Sequence, residues 1–119
     1  MADDQTLWEI ERGFWLKGAS HYRAHLHEAC VFAFPEPTGL MRGTGFVEQI
    51  GEYSPWASVR FHEDVITRPS DAMAVLAYRA VGTRHDGDPH EAFCTTTYAL
   101  ALDTAPRLVQ HQQTVIDPT

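Results

Sequence analysis

The sequence predicts an α+β fold: two to three N-terminal helices packed on a cone-shaped, curved antiparallel sheet. Three observations predict it. Helix-spaced apolar residues are confined to the N-terminal half, alternating apolar and polar residues fill the rest, and polar turn clusters separate the alternating runs. The 119 residues fit one domain, 1–119, with no internal repeat, low-complexity tract or linker. A chain of this size can bury about two-thirds of its unfolded surface, enough for a core without staples.

Asp3 and Asp4 suit the positive start of a first helix, and Leu7, Ile10 and Phe14 recur along one face of it beside Trp8 and Trp15. Gly18 is expected to end that helix in a left-handed cap. Ser20 is expected to cap a second, short helix through Leu26. The apolar run from Cys30 to Phe34 reads as a buried strand stopped by Pro35 and Pro37. Thr44 is expected to cap a third helix carrying Phe46, Val47 and Ile50. The second half is β. Val59, Phe61 and Val65 alternate with polar residues; strands then follow at Met73 to Thr83, Ala92 to Leu102 and Arg107 to Val115. Turns fall at Arg68-Pro69-Ser70-Asp71, Asp86-Gly87-Asp88-Pro89 and Asp103-Thr104-Ala105-Pro106.

Charge and composition exclude several function classes. The formal charge is −7 and the lysines and arginines are scattered, so no basic stripe exists for phosphate backbones. Nucleic acid and an acidic membrane surface are therefore not expected partners. No apolar run approaches the roughly 20 residues of a membrane span. The start Met1-Ala2-Asp3-Asp4 is acidic where an export signal would be basic, which predicts a cytoplasmic protein. Cys30 and Cys94 lack metal-ligand spacing and read as buried free thiols. His21 and His25 stand four apart on one helix face with Glu28 beyond, but no third histidine is in register. The polar stretch from His85 to Glu91 matches no calcium loop. Neither a metal nor a cofactor is expected.

Phe34-Pro35 leading to Arg42-Gly43-Thr44, the long hairpin around Asp86-Gly87, and the ending Leu108-Val109-Gln110-His111-Gln112-Gln113-Thr114 together resemble the nuclear transport factor two-like superfamily. That group includes ketosteroid isomerase and the SnoaL-like polyketide cyclases, and the likeness covers nearly the whole chain. It implies a cystatin-like cone around a deep pocket, and frequently a dimer. It also implies what is missing. The isomerase's general-base carboxylate precedes its proline, and here that position is Phe34. Its protonated acid on the long strand falls at about Tyr98, and the tyrosine of its first helix falls near Ile10 or Glu11. Its last hairpin often carries a Trp that Asp103-Thr104-Ala105-Pro106 lacks.

Hairpin geometry places the pocket face. If Asp86 faces Pro89, then Thr96 lies opposite Arg79 and Tyr98 opposite Ala77. If Asp103 faces Pro106, then His111 lies opposite Tyr98 and Gln113 opposite Thr96. Two rows result on one face: Phe61, Arg79, Thr96, Gln113, and Ala77, Tyr98, His111, with Met73, Val75, Val81, Leu100 and Val109 around them. The expected outer face carries Leu76, Tyr78, Ala80, Thr95, Thr97, Ala99, Leu108, Gln110 and Gln112. It is apolar enough to predict a homodimer through the outer sheet face.

His111 is the leading catalytic residue expected, with Tyr98 beside it as a hydrogen-bond donor. Trp15, Phe34, Phe46, Trp56, Phe61, Arg79, Thr96 and Gln113 are the expected ligand contacts. Three readings follow: a SnoaL-like domain that binds a small organic ligand in an apolar pocket; a cofactor-independent cyclase, isomerase or hydratase using His111 and Tyr98; or a non-catalytic dimerisation module.

Overall fold

A computed structural model describes residues 2–116. Met1 and residues 117–119, which the single-domain reading includes, lie outside the described residues. Helix α1 spans Asp4–Leu16, capped by the Asp3 carboxylate, which accepts from the Thr6 amide at 2.8 Å. Helix α2 spans Ala19–His25. The strands are β1 (Leu26–Ala33), β2 (Leu40–Arg42), β3 (Trp56–Ser70), β4 (Met73–Arg84), β5 (Pro89–Ala101) and β6 (Thr104–Val115). They form one six-stranded curved sheet in the order β2-β1-β6-β5-β4-β3.

The sheet is mixed rather than wholly antiparallel. Strand β1 pairs parallel with β6, with Phe32 beside His111, while every other neighbour is antiparallel. The strand expected from Cys30 begins four residues earlier because Leu26 already pairs with Leu108. The third helix is a single 3-10 turn, Gly45–Gln49, and the Thr44 side chain accepts no capping hydrogen bond from it. Glycines at 43, 45 and 51 bracket the segment, and each lowers helix propensity. Gly18 makes no left-handed cap: its φ is −105°. Its role is spatial, because a Cβ there would collide with the backbone of Glu52.

The largest correction concerns the register of β4. The expected two-residue turn is a three-residue loop, His85-Asp86-Gly87, with the Arg84 amide bonded to the Asp88 carbonyl at 3.0 Å. Gly87 supplies the positive φ, 95°, that the last residue of such a loop needs. Thr83 therefore pairs with Pro89, and Arg79 pairs with Phe93 instead of Thr96. An odd shift exchanges the faces of a strand. Leu76, Tyr78 and Ala80 are buried inside, whereas Ala77, Arg79 and Val81 face out.

Strand β6 is shifted by an even step, so His111 and Gln113 keep the expected face; His111 lies opposite Thr96, and Tyr98 opposite Leu108. A bulge at Val109 turns Leu108 inward as well, against its expected outer position.

The core is continuous from α1 to the inner sheet face. Leu7, Ile10, Leu26, Phe32, Leu76, Tyr98 and Leu108 form its larger cluster, and Trp15, Val59, Tyr78, Ala80 and Cys94 a second. Cys30 and Cys94 are both free and buried.

Candidate functional site

Between the helices and the sheet lies a pocket of about 530 Å³. Its walls follow from which residues the elements cannot bury elsewhere. The end of α1 contributes Phe14 and Trp15, α2 contributes Tyr22, and β1 with the segment after it contributes Phe32 and Phe34. Phe46 comes from the 3-10 turn and Trp56 from the start of β3. The floor is β6, through Leu108, His111 and Gln113. Phe32 and Phe34 stack with ring centroids 5.5 Å apart, and Phe34 lies 5.8 Å from His111. At the mouth Tyr53 is 94% exposed although it borders the cavity. Gly82 on β4 makes room for the tryptophans: a Cβ there would stand 2.9 Å from Trp56 and 3.2 Å from Trp15.

Beside the floor, between α1 and the inner face of β4 and β5, sits Glu11, only 1% exposed. A buried carboxylate needs several donors to offset its lost hydration. Glu11 has three: the hydroxyls of Thr96 and Tyr98 donate to it at 2.6 Å each, and the Tyr78 hydroxyl donates to it as well. Tyr78 in turn accepts from the Trp15 indole at 3.2 Å. Thr96 Oγ1 also lies 2.6 Å from His111 Nδ1, which is 3.6 Å from Glu11. The carboxylate is thus two hydrogen bonds from each of two pocket-lining side chains, Trp15 and His111.

The electrostatics follow from this burial. Tyr78 and Tyr98 are held well above the usual phenol range, first by burial and then by the Glu11 charge, so both are donors at neutral pH. Burial pushes His111 below its ordinary value, and Glu11 opposes that shift. His111 is therefore a neutral imidazole at neutral pH, with one ring nitrogen unprotonated.

The comparisons with known proteins concern shape. No protein-family profile matches the chain, and no curated protein matches it by sequence. Solved structures do. A candidate ketosteroid isomerase from Parabacteroides distasonis superposes with a TM-score of 0.80 at 11% identity, covering 98% of this chain and 90% of that one. An NTF2-like protein from Rhodospirillum rubrum, described as of unknown function in nutrient uptake, gives 0.76 at 18% identity, covering 98% and 100%. The chain has the NTF2-like fold. The association domain of C. elegans CaMKII has a similar fold, with a TM-score of 0.72 at 13% identity, covering 92% of this chain and 90% of that one.

On this NTF2-like scaffold the expected site residues divide. Trp15, Phe34, Phe46, Trp56, His111 and Gln113 border the pocket. Thr96 and Tyr98 lie beneath it, fully buried and bonded to Glu11. Phe61 packs on Tyr78 and Trp8 away from the cavity, with the Arg12 guanidinium over its ring. Arg79 is on the outer face, paired with Glu91 and 3.8 Å from Glu63, because the three-residue loop inverted β4. It cannot hold a ligand oxygen in the pocket.

Sequence reasoning missed Glu11, and a signal for it existed. Glu11 falls four residues after Leu7 and three before Phe14, inside the apolar stripe of the helix. A carboxylate there must find buried donors. The histidine pair is also settled in packing: His21 Nε2 lies 2.9 Å from the Ile10 carbonyl, and His25 Nδ1 3.3 Å from that of Pro106. Among the described residues no group of three or more His, Cys, Asp or Glu is placed to hold a metal ion. No helix among them is long and apolar enough to cross a membrane.

Proposed function

We propose that the chain binds a small, largely aromatic or alicyclic organic molecule in the pocket between helices and sheet, with its polar end at His111 and Gln113. The observation that carries this reading is a cavity of about 530 Å³ that the surrounding aromatic rings leave open. A vestigial pocket in a pure dimerisation module would be filled by Phe34 and Trp15. The volume suits a ligand of drug size, and mostly apolar walls with a few converging polar groups are what such ligands need. The test is fluorescence titration with the apolar probe 8-anilinonaphthalene-1-sulfonate, read also through Trp15 and Trp56. One saturable site per chain is expected, lost in a Met41→Trp variant that fills the cavity from β2. Equal binding by wild type and Met41→Trp would refute the reading.

A second reading, cofactor-independent acid–base catalysis, is favoured by the link from Glu11 through Thr96 to His111. His111 takes a proton from a ligand hydroxyl or an activated C–H, and the buried carboxylate stabilises the imidazolium that forms. Tyr98 donates to Glu11, away from the pocket, so in this reading it supports the carboxylate and does not touch the ligand.

We also propose a homodimer through the outer sheet face, as a cytoplasmic single-domain protein. Thr95, Thr97 and Ala99 keep the expected outer face, and Val75, Ala77, Val81 and the 51% exposed Phe93 share it in place of Leu76, Tyr78, Ala80 and Leu108. The free thiols agree with a reducing compartment.

A further inference from the structure

We infer that His90, outside the pocket wall, is a positioning residue that fixes His111 as a base through a one-way hydrogen-bond chain, His90→Gln113→His111→Thr96→Glu11. In its catalytic consequence this rests on the acid–base reading of His111; the chain itself is a property of the free protein.

The direction follows from which atoms can donate. His90 Nε2 lies 3.2 Å from Gln113 Oε1, an oxygen that only accepts, so His90 donates. Gln113 Nε2 lies 3.1 Å from His111 Nε2, and an amide nitrogen only donates, so His111 Nε2 is the acceptor. The proton of the neutral ring is then on Nδ1, and it donates to Thr96 Oγ1 at 2.6 Å. This leaves the Thr96 hydroxyl free to donate to Glu11 at 2.6 Å. The Glu11 carboxylate accepts only, so it orients the Thr96 end of the chain, while His90 orients the Gln113 end.

The reverse arrangement conflicts with both ends. If the Gln113 amide turned over, its oxygen would require a proton on His111 Nε2. Nδ1 would then accept from Thr96, and Thr96 would have no proton for Glu11. A buried carboxylate would lose one of its three hydroxyl donors. His90 holds the amide against this turn, and it is itself held between Trp15 and Trp56, with centroid distances of 6.2 and 5.3 Å. The consequence for chemistry is that the Nε2 lone pair is presented on the pocket side. A ligand hydroxyl that replaces the Gln113 contact gives its proton to Nε2.

The test is nitrogen-15 NMR of histidine-labelled protein without ligand, which separates the two neutral tautomers of His111. Wild type should show the proton on Nδ1. His90→Ala should lose that single form and give averaged nitrogen signals, while His90→Gln, which keeps a donor, should restore it. Gln113→Glu, which can only accept, should move the proton to Nε2. Because His90 is only half-buried, an unchanged backbone amide spectrum checks that its variants fold. A wild-type proton on Nε2, or a His90→Ala spectrum like wild type, overturns the inference. Those outcomes leave ligand binding in the pocket untouched, whereas a correct tautomer with no saturable probe site sinks the functional reading alone.

Discussion

Replacing Glu11 is the sharpest test of how helix α1 is held to the sheet. The carboxylate accepts from Tyr78, Thr96 and Tyr98 and is almost completely buried. Glu11→Leu keeps the approximate volume but leaves three buried hydroxyls without their acceptor, at about 1–3 kcal/mol each. Against this, a carboxylate no longer has to be stripped of water, a penalty of several kcal/mol in itself. At about 2 kcal/mol per hydroxyl the loss is about 6 kcal/mol, and about 3 kcal/mol of relieved desolvation leaves a net loss of about 3 kcal/mol, a large share of the roughly 5–15 kcal/mol that holds such a domain. Glu11→Gln retains one acceptor oxygen and should lose about 2 kcal/mol, since one hydroxyl must accept from the new amide instead of donating. Urea unfolding followed by tryptophan fluorescence gives both numbers, as lower midpoints with unchanged slopes. A double-mutant cycle sharpens the test: Tyr98→Phe should cost less in the Glu11→Leu background than in wild type, because it removes an orphaned hydroxyl. If Glu11→Leu unfolds within about 0.5 kcal/mol of wild type, the carboxylate is not the anchor and the reasoning fails.

Acid should weaken the fold: His111 and His21 are both pushed below the ordinary value of 6.5 by burial, so the unfolded chain binds more protons, and stability should fall as pH drops from 6.5 through their folded values. His111→Phe should remove part of that slope in pH-dependent unfolding; an unaltered slope would contradict it. His111→Ala should change stability by no more than about 2 kcal/mol while ligand affinity or turnover falls sharply, measured by titration of the same probe. Gly82→Ala should push Trp56 and Trp15 into the cavity, costing about 1–3 kcal/mol and weakening probe binding; a cavity-neutral result would argue that the tryptophans relax elsewhere. Burial raises the Cys30 thiol and lifts Cys94 to about 12, so a thiol reagent at neutral pH should label neither until the protein is unfolded. Light scattering should give twice the chain mass, and Phe93→Glu should convert it to the monomer; a monomeric wild type would remove the proposed interface.

The element order was legible because periodicity is a local property: Leu7, Ile10 and Phe14 mark a helix face, and the Thr- and Tyr-rich stretch after Ala92 marks a strand. The aromatic walls were legible for a related reason, since Trp15, Phe34, Phe46 and Trp56 all flank element ends where rings collect. Register was not. Asp86-Gly87 fits a two-residue turn and a three-residue loop alike, and the choice decides which face every β4 side chain takes. Arg79 went to the wrong face on that one residue, whereas His111 kept its face because the β6 error was even. The parallel pairing of β1 with β6 joins segments about 80 residues apart in the chain, and no local pattern announces it. The Glu11 network was invisible for a different reason. Its members lie on α1, β4, β5 and β6, and only the stray carboxylate in an apolar stripe hinted at them.

That parallel pairing also has a bearing on how the molecule is made. Strands β3 to β6 are joined by hairpins and can find one another through short loop closures, whereas β1 waits for β6, the last strand in the chain order. Until the two meet, Phe32 and Phe34 have no His111 to face, and the pocket has a floor but no far wall. Closure of so long a loop is a slow, entropically opposed event. During synthesis on a ribosome, the docking of the early segment is therefore postponed until the final strand clears the exit tunnel, and the apolar side chains of β1 depend on other cover in the interval.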